Sequence, residues 1–154
     1  MSEIMVVRHA LSHNGLTGLG GKKDFAPHQL SQALGAMFDQ AHGACLAAVW
    51  ASWARYVYQA NPARFARYAR NVWDIEASFS VEEAALAGIA ATEAYFQALG
   101  MPAGLPALIG RQDDAVLDQL ASLCSYRGTR TIGTFRVLDE QDMRAIFAAA
   151  NERL

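Results

Sequence analysis

The sequence predicts an all-α fold, a single helical bundle-like domain with no parallel sheet, and three observations carry that expectation. Alanine dominates the chain, and apolar positions recur at helical spacing in nearly every segment between helix breakers. No alternation of strand and helix patterns occurs, so nothing here supplies the strand-to-helix turn on which a dinucleotide usually sits. The one β-prone stretch, Thr129-Arg-Thr-Ile-Gly-Thr-Phe-Arg-Val137, is too short and isolated to build a sheet.

Each element has its own signal. A first helix is expected over Glu3 to about His13, ending in the glycine-rich loop from Asn14 to Asp24. Pro27 opens a second helix, where its fixed φ and missing N–H do no harm. A long apolar helix follows Gly43, from Ala44 to about Ala60, and Asn61-Pro62 stops it and starts the next, through Trp73. Ser80-Val-Glu-Glu83 has the form of a capping box for a helix from Val81 to Leu99, which Gly100-Met-Pro102 ends. Two more helices fit Asp113 to Tyr126 and Asp139 to about Arg153.

Composition bounds the function. With 154 residues the chain is one domain's worth, 1-154, able to bury a sizeable core. A net charge of -2 gives no electrostatic reason to expect nucleic acid or an acidic membrane as partner. Cys45 and Cys124 stand far apart without CxxC spacing, so reduced, buried thiols are expected rather than a disulfide framework or thiolate zinc site. The N-terminus lacks the basic start and long apolar run of a signal peptide, and Ser52 and Arg55 interrupt the apolar run from Ala44 to Trp53; the expected compartment is the cytoplasm.

Several constellations could carry chemistry. The glycine loop fails as a phosphate loop, because Leu16 stands where its first glycine belongs, Lys23 replaces the Ser or Thr that holds magnesium, and no strand precedes it. His9 and His13, four apart on a predicted helix, have the spacing of a zinc-binding pair but no intervening Glu to act as base. His28 and His42 are the most informative pair. Two ligands of one ion bring their nitrogens within about 4 Å, whereas fourteen residues of straight helix separate them by roughly 21 Å. A shared metal therefore requires the helix from Pro27 to end near Phe38 and the chain to fold back, with His42 at the mouth of the next helix. Spacing leaves this open beside the alternative of two unrelated histidines. Gln32, one turn after His28, would lie beside the same pocket. The aromatic groups Trp50, Trp53, Tyr56, Tyr58 and Phe65, Tyr68, Trp73 read as core packing, and Arg64, Arg67 and Arg70 as one solvated face.

The stretch Leu11-Ser-His-Asn-Gly-Leu-Thr-Gly18, then Asp24-Phe-Ala-Pro-His28, then Leu34-Gly-Ala-Met-Phe-Asp-Gln-Ala-His42-Gly43-Ala resembles the iron-containing alcohol dehydrogenases, nearest to the butanol dehydrogenase-like branch. Trp53-Ala-Arg-Tyr-Val, Asn61-Pro-Ala-Arg-Phe, Phe96-x-x-Leu-Gly-Met-Pro102 and Asp142-x-x-x-Ile146 continue the similarity along essentially the whole chain.

The resemblance implies an oxidoreductase with a nucleotide-binding α/β domain followed by an all-helical, dehydroquinate synthase-like metal domain, the active site lying between them. This chain looks like the second domain only, with the N-terminal nucleotide-binding domain absent. The family holds its metal, Fe2+ or Zn2+, with one Asp and three His, and the matching positions here are His28 and His42. The Asp, the first His and the turn that binds NAD(P) are expected upstream. Gln32 stands where family members usually carry another His, which puts a proton-relay role there in doubt. Gln32, His13 and Asn14 are candidate pocket residues. The opening Met1 to Ala10 fits the family less well, so a truncated chain is expected. The implied activity is alcohol/aldehyde interconversion by hydride transfer in a homo-oligomer, with this chain inactive alone. The alternative is a metal-free helical module that self-associates or binds protein through a former domain interface.

Overall fold

The computed structural model describes residues 23–153. The helix expected over Glu3 to His13, most of the glycine loop, and the candidates His9, His13 and Asn14 lie outside the described residues. Seven α-helices follow among those described: α1 Ala26–Phe38, α2 His42–Val57, α3 Pro62–Trp73, α4 Val81–Ala98, α5 Leu105–Ile109, α6 Asp114–Cys124 and α7 Glu140–Asn151. No helix among them is long and apolar enough to cross a membrane.

The helix boundaries follow from local chemistry. Pro27 occupies the first turn of α1, and the helix ends where Asp39 turns left-handed at φ 50, its N–H bonding to the Gly35 carbonyl. The long apolar helix starts at His42 rather than Ala44 and gives way after Val57 to a 3-10 turn over Tyr58–Ala60. Asn61 caps α3 through its side chain, with Pro62 in the first turn. Ser80 and Glu83 form the expected capping box of α4, and Asp139 with Asp142 forms a second at α7. Helix α5, five residues between Gly104 and Gly110, was not expected. The β-prone stretch yields one antiparallel bridge, Ile132 to Leu138, whose tight return places Gly133 at φ 92.

The core is built on α2. Cys45, Ala48, Val49, Ala54 and Val57 on that helix are closed to solvent, together with Leu30 and Leu34 from α1, Ile89 from α4, Leu120 from α6, and Met143, Ile146 and Phe147 from α7. Burying each Leu, Ile or Phe side chain favours folding by about 1.5–3 kcal/mol. The aromatic residues serve as packing and helix-to-helix contact, as expected. Trp50 meets Tyr68 and Phe96, while Trp53 meets Phe65 and Phe135. Arg64 and Arg67 are exposed, as expected of a solvated face; Arg70 instead turns inward to donate to the Phe79 carbonyl. Both cysteines are buried and unbridged, and burial pushes the Cys124 thiol up to about 11 despite Arg130 beside it.

Candidate functional site

The hairpin of α1 and α2 turns on three residues. Asp39 stops α1 in a left-handed cap, Gln40 and Ala41 reverse the chain, and Ala41, at φ -57 and ψ 130, leads into α2. Exposed residues at 39–41, the first two of them polar, fit a turn that faces water, while Leu30, Leu34, Cys45 and Val49 close the hairpin from inside. His28 thereby sits in the first turn of α1 and His42 begins α2.

The fold brings these two imidazoles together. Their ring centroids lie 5.3 Å apart with the planes inclined at 49°. A divalent cation about 2.1 Å from one nitrogen of each ring would lie about 3.2 Å from each centroid, so two imidazoles at a tetrahedral angle have centroids about 5.2 Å apart. The observed spacing accommodates such an ion. His42 is exposed and His28 half-buried, so the pair faces outward, and the exposed ring of Phe25 meets His28 edge-on at 5.5 Å. Gln32 is exposed one turn along α1. Among the described residues, no group of three or more His, Cys, Asp or Glu could hold a metal.

Two supporting residues have no role that the sequence assigns. Asp24 fixes where α1 begins: one carboxylate oxygen accepts the Ala26 N–H at 2.8 Å, and the other accepts the Thr134 and Phe135 N–H groups, both at 2.8 Å. The loop after α6 is thereby tied to the helix end that carries His28. Ser31 is fully buried, and its hydroxyl stands 2.8 Å from the His28 carbonyl oxygen and 3.2 Å from His42 Nδ1. An acidic residue before a proline-initiated helix and a serine within one are too ordinary to stand out, and their partners lie 110 and 11 residues away.

Fold and site together define an all-helical domain that presents two facing imidazoles on one hairpin. The chain belongs to the Fe-containing alcohol dehydrogenase family: the model of that family's C-terminal part matches residues 5–151. It is 31% identical over 151 residues to a probable NADH-dependent butanol dehydrogenase 1 of Bacillus subtilis, a match covering 97% of this chain and 38% of that one. It is 31% identical over 140 residues to NADH-dependent butanol dehydrogenase A of Clostridium acetobutylicum, covering 90% and 35% respectively. Among solved structures, NADH-dependent butanol dehydrogenase A from Thermotoga maritima superposes with a TM-score of 0.80 at 29% identity, over 91% of this chain and 36% of that one. The chain thus spans a little over a third of the length of these relatives, and the family it joins is one of oxidoreductases.

Proposed function

We propose that this chain is the helical metal-binding domain of an NAD(P)-dependent alcohol dehydrogenase that interconverts small alcohols and aldehydes in the cytoplasm. The observation that carries the reading is the pair of imidazoles, His28 and His42, at a spacing that accommodates a shared divalent cation, Fe2+ or Zn2+. When bound, the metal supplies Lewis acidity toward the substrate oxygen, and NAD(P) carries the hydride.

The chain's own residues have narrower tasks. His28 and His42 hold two positions of the coordination sphere, and the α1–α2 hairpin sets the distance between them. Gln32 is assigned to the substrate end; His13 and Asn14 are candidates for the same role on the sequence alone. A glutamine there orients a hydroxyl or carbonyl by hydrogen bonding and exchanges no proton near neutral pH, so proton transfer takes a route that avoids this side chain. In this reading an Asp and a further His, with the turn that grips the nicotinamide cofactor, come from a nucleotide-binding domain. The 154 residues alone are then inert.

Two measurements test it. The purified chain, given alcohol and NAD+ or NADP+, is expected to show no reduced nicotinamide; robust turnover would refute inertness. It is also expected to bind Co2+ weakly, with binding lost in both His28→Ala and His42→Ala; binding that survives both substitutions sinks the metal site.

A second reading, a metal-free module that self-associates, draws on the large apolar side chains left exposed on and beside α3 and α4, among them Val72, Phe79, Leu86, Tyr95 and Leu99. A metal-free dimer on sizing would favour it over the first.

A further inference from the structure

Ser31 touches both residues that carry the imidazole pair, although it is itself closed to solvent. Its Oγ lies 2.8 Å from the His28 carbonyl oxygen. Two oxygens at that separation need a proton between them, and a carbonyl has none to give, so the single hydroxyl proton of Ser31 is committed there. Toward His42 Nδ1, 3.2 Å away, the hydroxyl then offers only lone pairs. The contact is a hydrogen bond when Nδ1 carries hydrogen and donates. A neutral imidazole has one N–H, so its other lone pair is left on Nε2.

We propose that Ser31 is a positioning residue that fixes His42 as the Nδ1–H tautomer and so presents Nε2 as the ligand atom. A serine bonding back to the carbonyl three residues earlier is common inside helices, and this alone explains the contact with His28. It does not explain why the same oxygen meets an imidazole across the hairpin, where it restrains the ring and selects its tautomer. Hydrogen-bond partners of metal-ligating histidines act in this way, and losing one typically weakens metal binding 10- to 100-fold. The metal's place in this assignment rests on the function proposed above; the tautomer does not.

The test separates the two. In the metal-free full chain, at a pH where His42 is neutral, long-range proton–nitrogen NMR correlations are expected to show Nδ1 protonated. Ser31→Ala, which a helix interior accepts readily, is expected to move His42 toward the Nε2–H form that unrestrained imidazoles favour. Ser31→Thr keeps the hydroxyl and is expected to restore the original pattern. With Co2+ alone as the probe, calorimetry is expected to show affinity reduced about tenfold in Ser31→Ala and retained in Ser31→Thr. His42 found as Nε2–H in the unmodified chain, or unchanged in Ser31→Ala, overturns the assignment. If no form of the chain binds Co2+, the metal reading fails, and the ring spectra still decide the role of Ser31.

Discussion

Tyr56 Oη lies 2.6 Å from Asp142 Oδ1, and the same carboxylate receives Arg136 at 2.9 Å and the Asp139 N–H at 3.1 Å. Burial by itself would raise the Asp142 carboxyl, but the Tyr56 hydroxyl, the Asp139 N–H and Arg136 together bring it below its ordinary value. The hydrogen bond to Asp142, helped by burial, raises the Tyr56 phenol in turn. A carboxyl depressed in the folded state stabilises the fold above its unfolded value of about 3.9, and that contribution disappears as pH falls through the folded value. Tyr56→Phe deletes a charge-assisted hydrogen bond and is expected to lower stability by about 1–2 kcal/mol at neutral pH. Urea unfolding at about pH 7 and about pH 2.5 checks this, with the gap between variant and parent narrowing in acid. A gap of equal size at both would show that the carboxylate is not what Tyr56 stabilises.

Helices α3 and α4 approach so closely that a Cβ built on Gly88 would stand 2.4 Å from Ala69 Cβ and 2.8 Å from its Cα. Alanine is the better helix former by about 1 kcal/mol, yet overpacking of this kind typically costs about 1–3 kcal/mol and here meets backbone as well as side chain. Gly88→Ala is therefore expected to lower the thermal midpoint, and adding Ala69→Gly to recover part of it. A variant as stable as the parent would mean that α3 and α4 separate without penalty. The helices themselves were legible because Pro27, Asn61-Pro62 and the Ser80 box mark ends by local rules. Helix α5 escaped because five residues complete too little of a helical period to register, and its burial of Leu105 is a tertiary event. The same limit applied to Phe135. Its place in a β-prone stretch gave no hint that its ring would pack 5.2 Å from Phe65 and 6.2 Å from Trp53.

Across the whole molecule, Glu93 of α4 receives Arg55 of α2 at 2.6 Å and Arg153, just past α7, at 2.5 Å. Arg153 also donates to Ser52 at 3.1 Å, so one acidic side chain ties three parts of the chain together. The three charged side chains are between 15% and 28% exposed, too sheltered for water to replace a lost partner fully. Glu93→Gln keeps the shape while removing the charge that both guanidinium groups share. It is expected to cost about 1–3 kcal/mol in denaturant unfolding, and an unchanged midpoint would relegate the network to a surface feature. At this scale the imidazole pair was legible only as a candidate. The fourteen-residue spacing stated the condition of a reversal near Phe38, but the left-handed Asp39 that meets it is a backbone state rather than a pattern of residue types. The roles of Ser31 and Asp24 were not legible in the sequence because each acts on a partner that only folding brings near.

The α1–α2 hairpin has a consequence for how the half-site comes into being. Both imidazoles and the Ser31 hydroxyl lie within 15 consecutive residues, from His28 to His42, so their meeting depends on local contacts that form early and quickly rather than on distant parts of the chain finding each other. The chain-closure entropy of bringing them together is met by the packing of Leu30 and Leu34 against Cys45 and Val49, with or without an ion. On the function proposed above, a cation arriving at this corner would find two ligands already assembled, and its binding energy would be left to recruit the remaining ones.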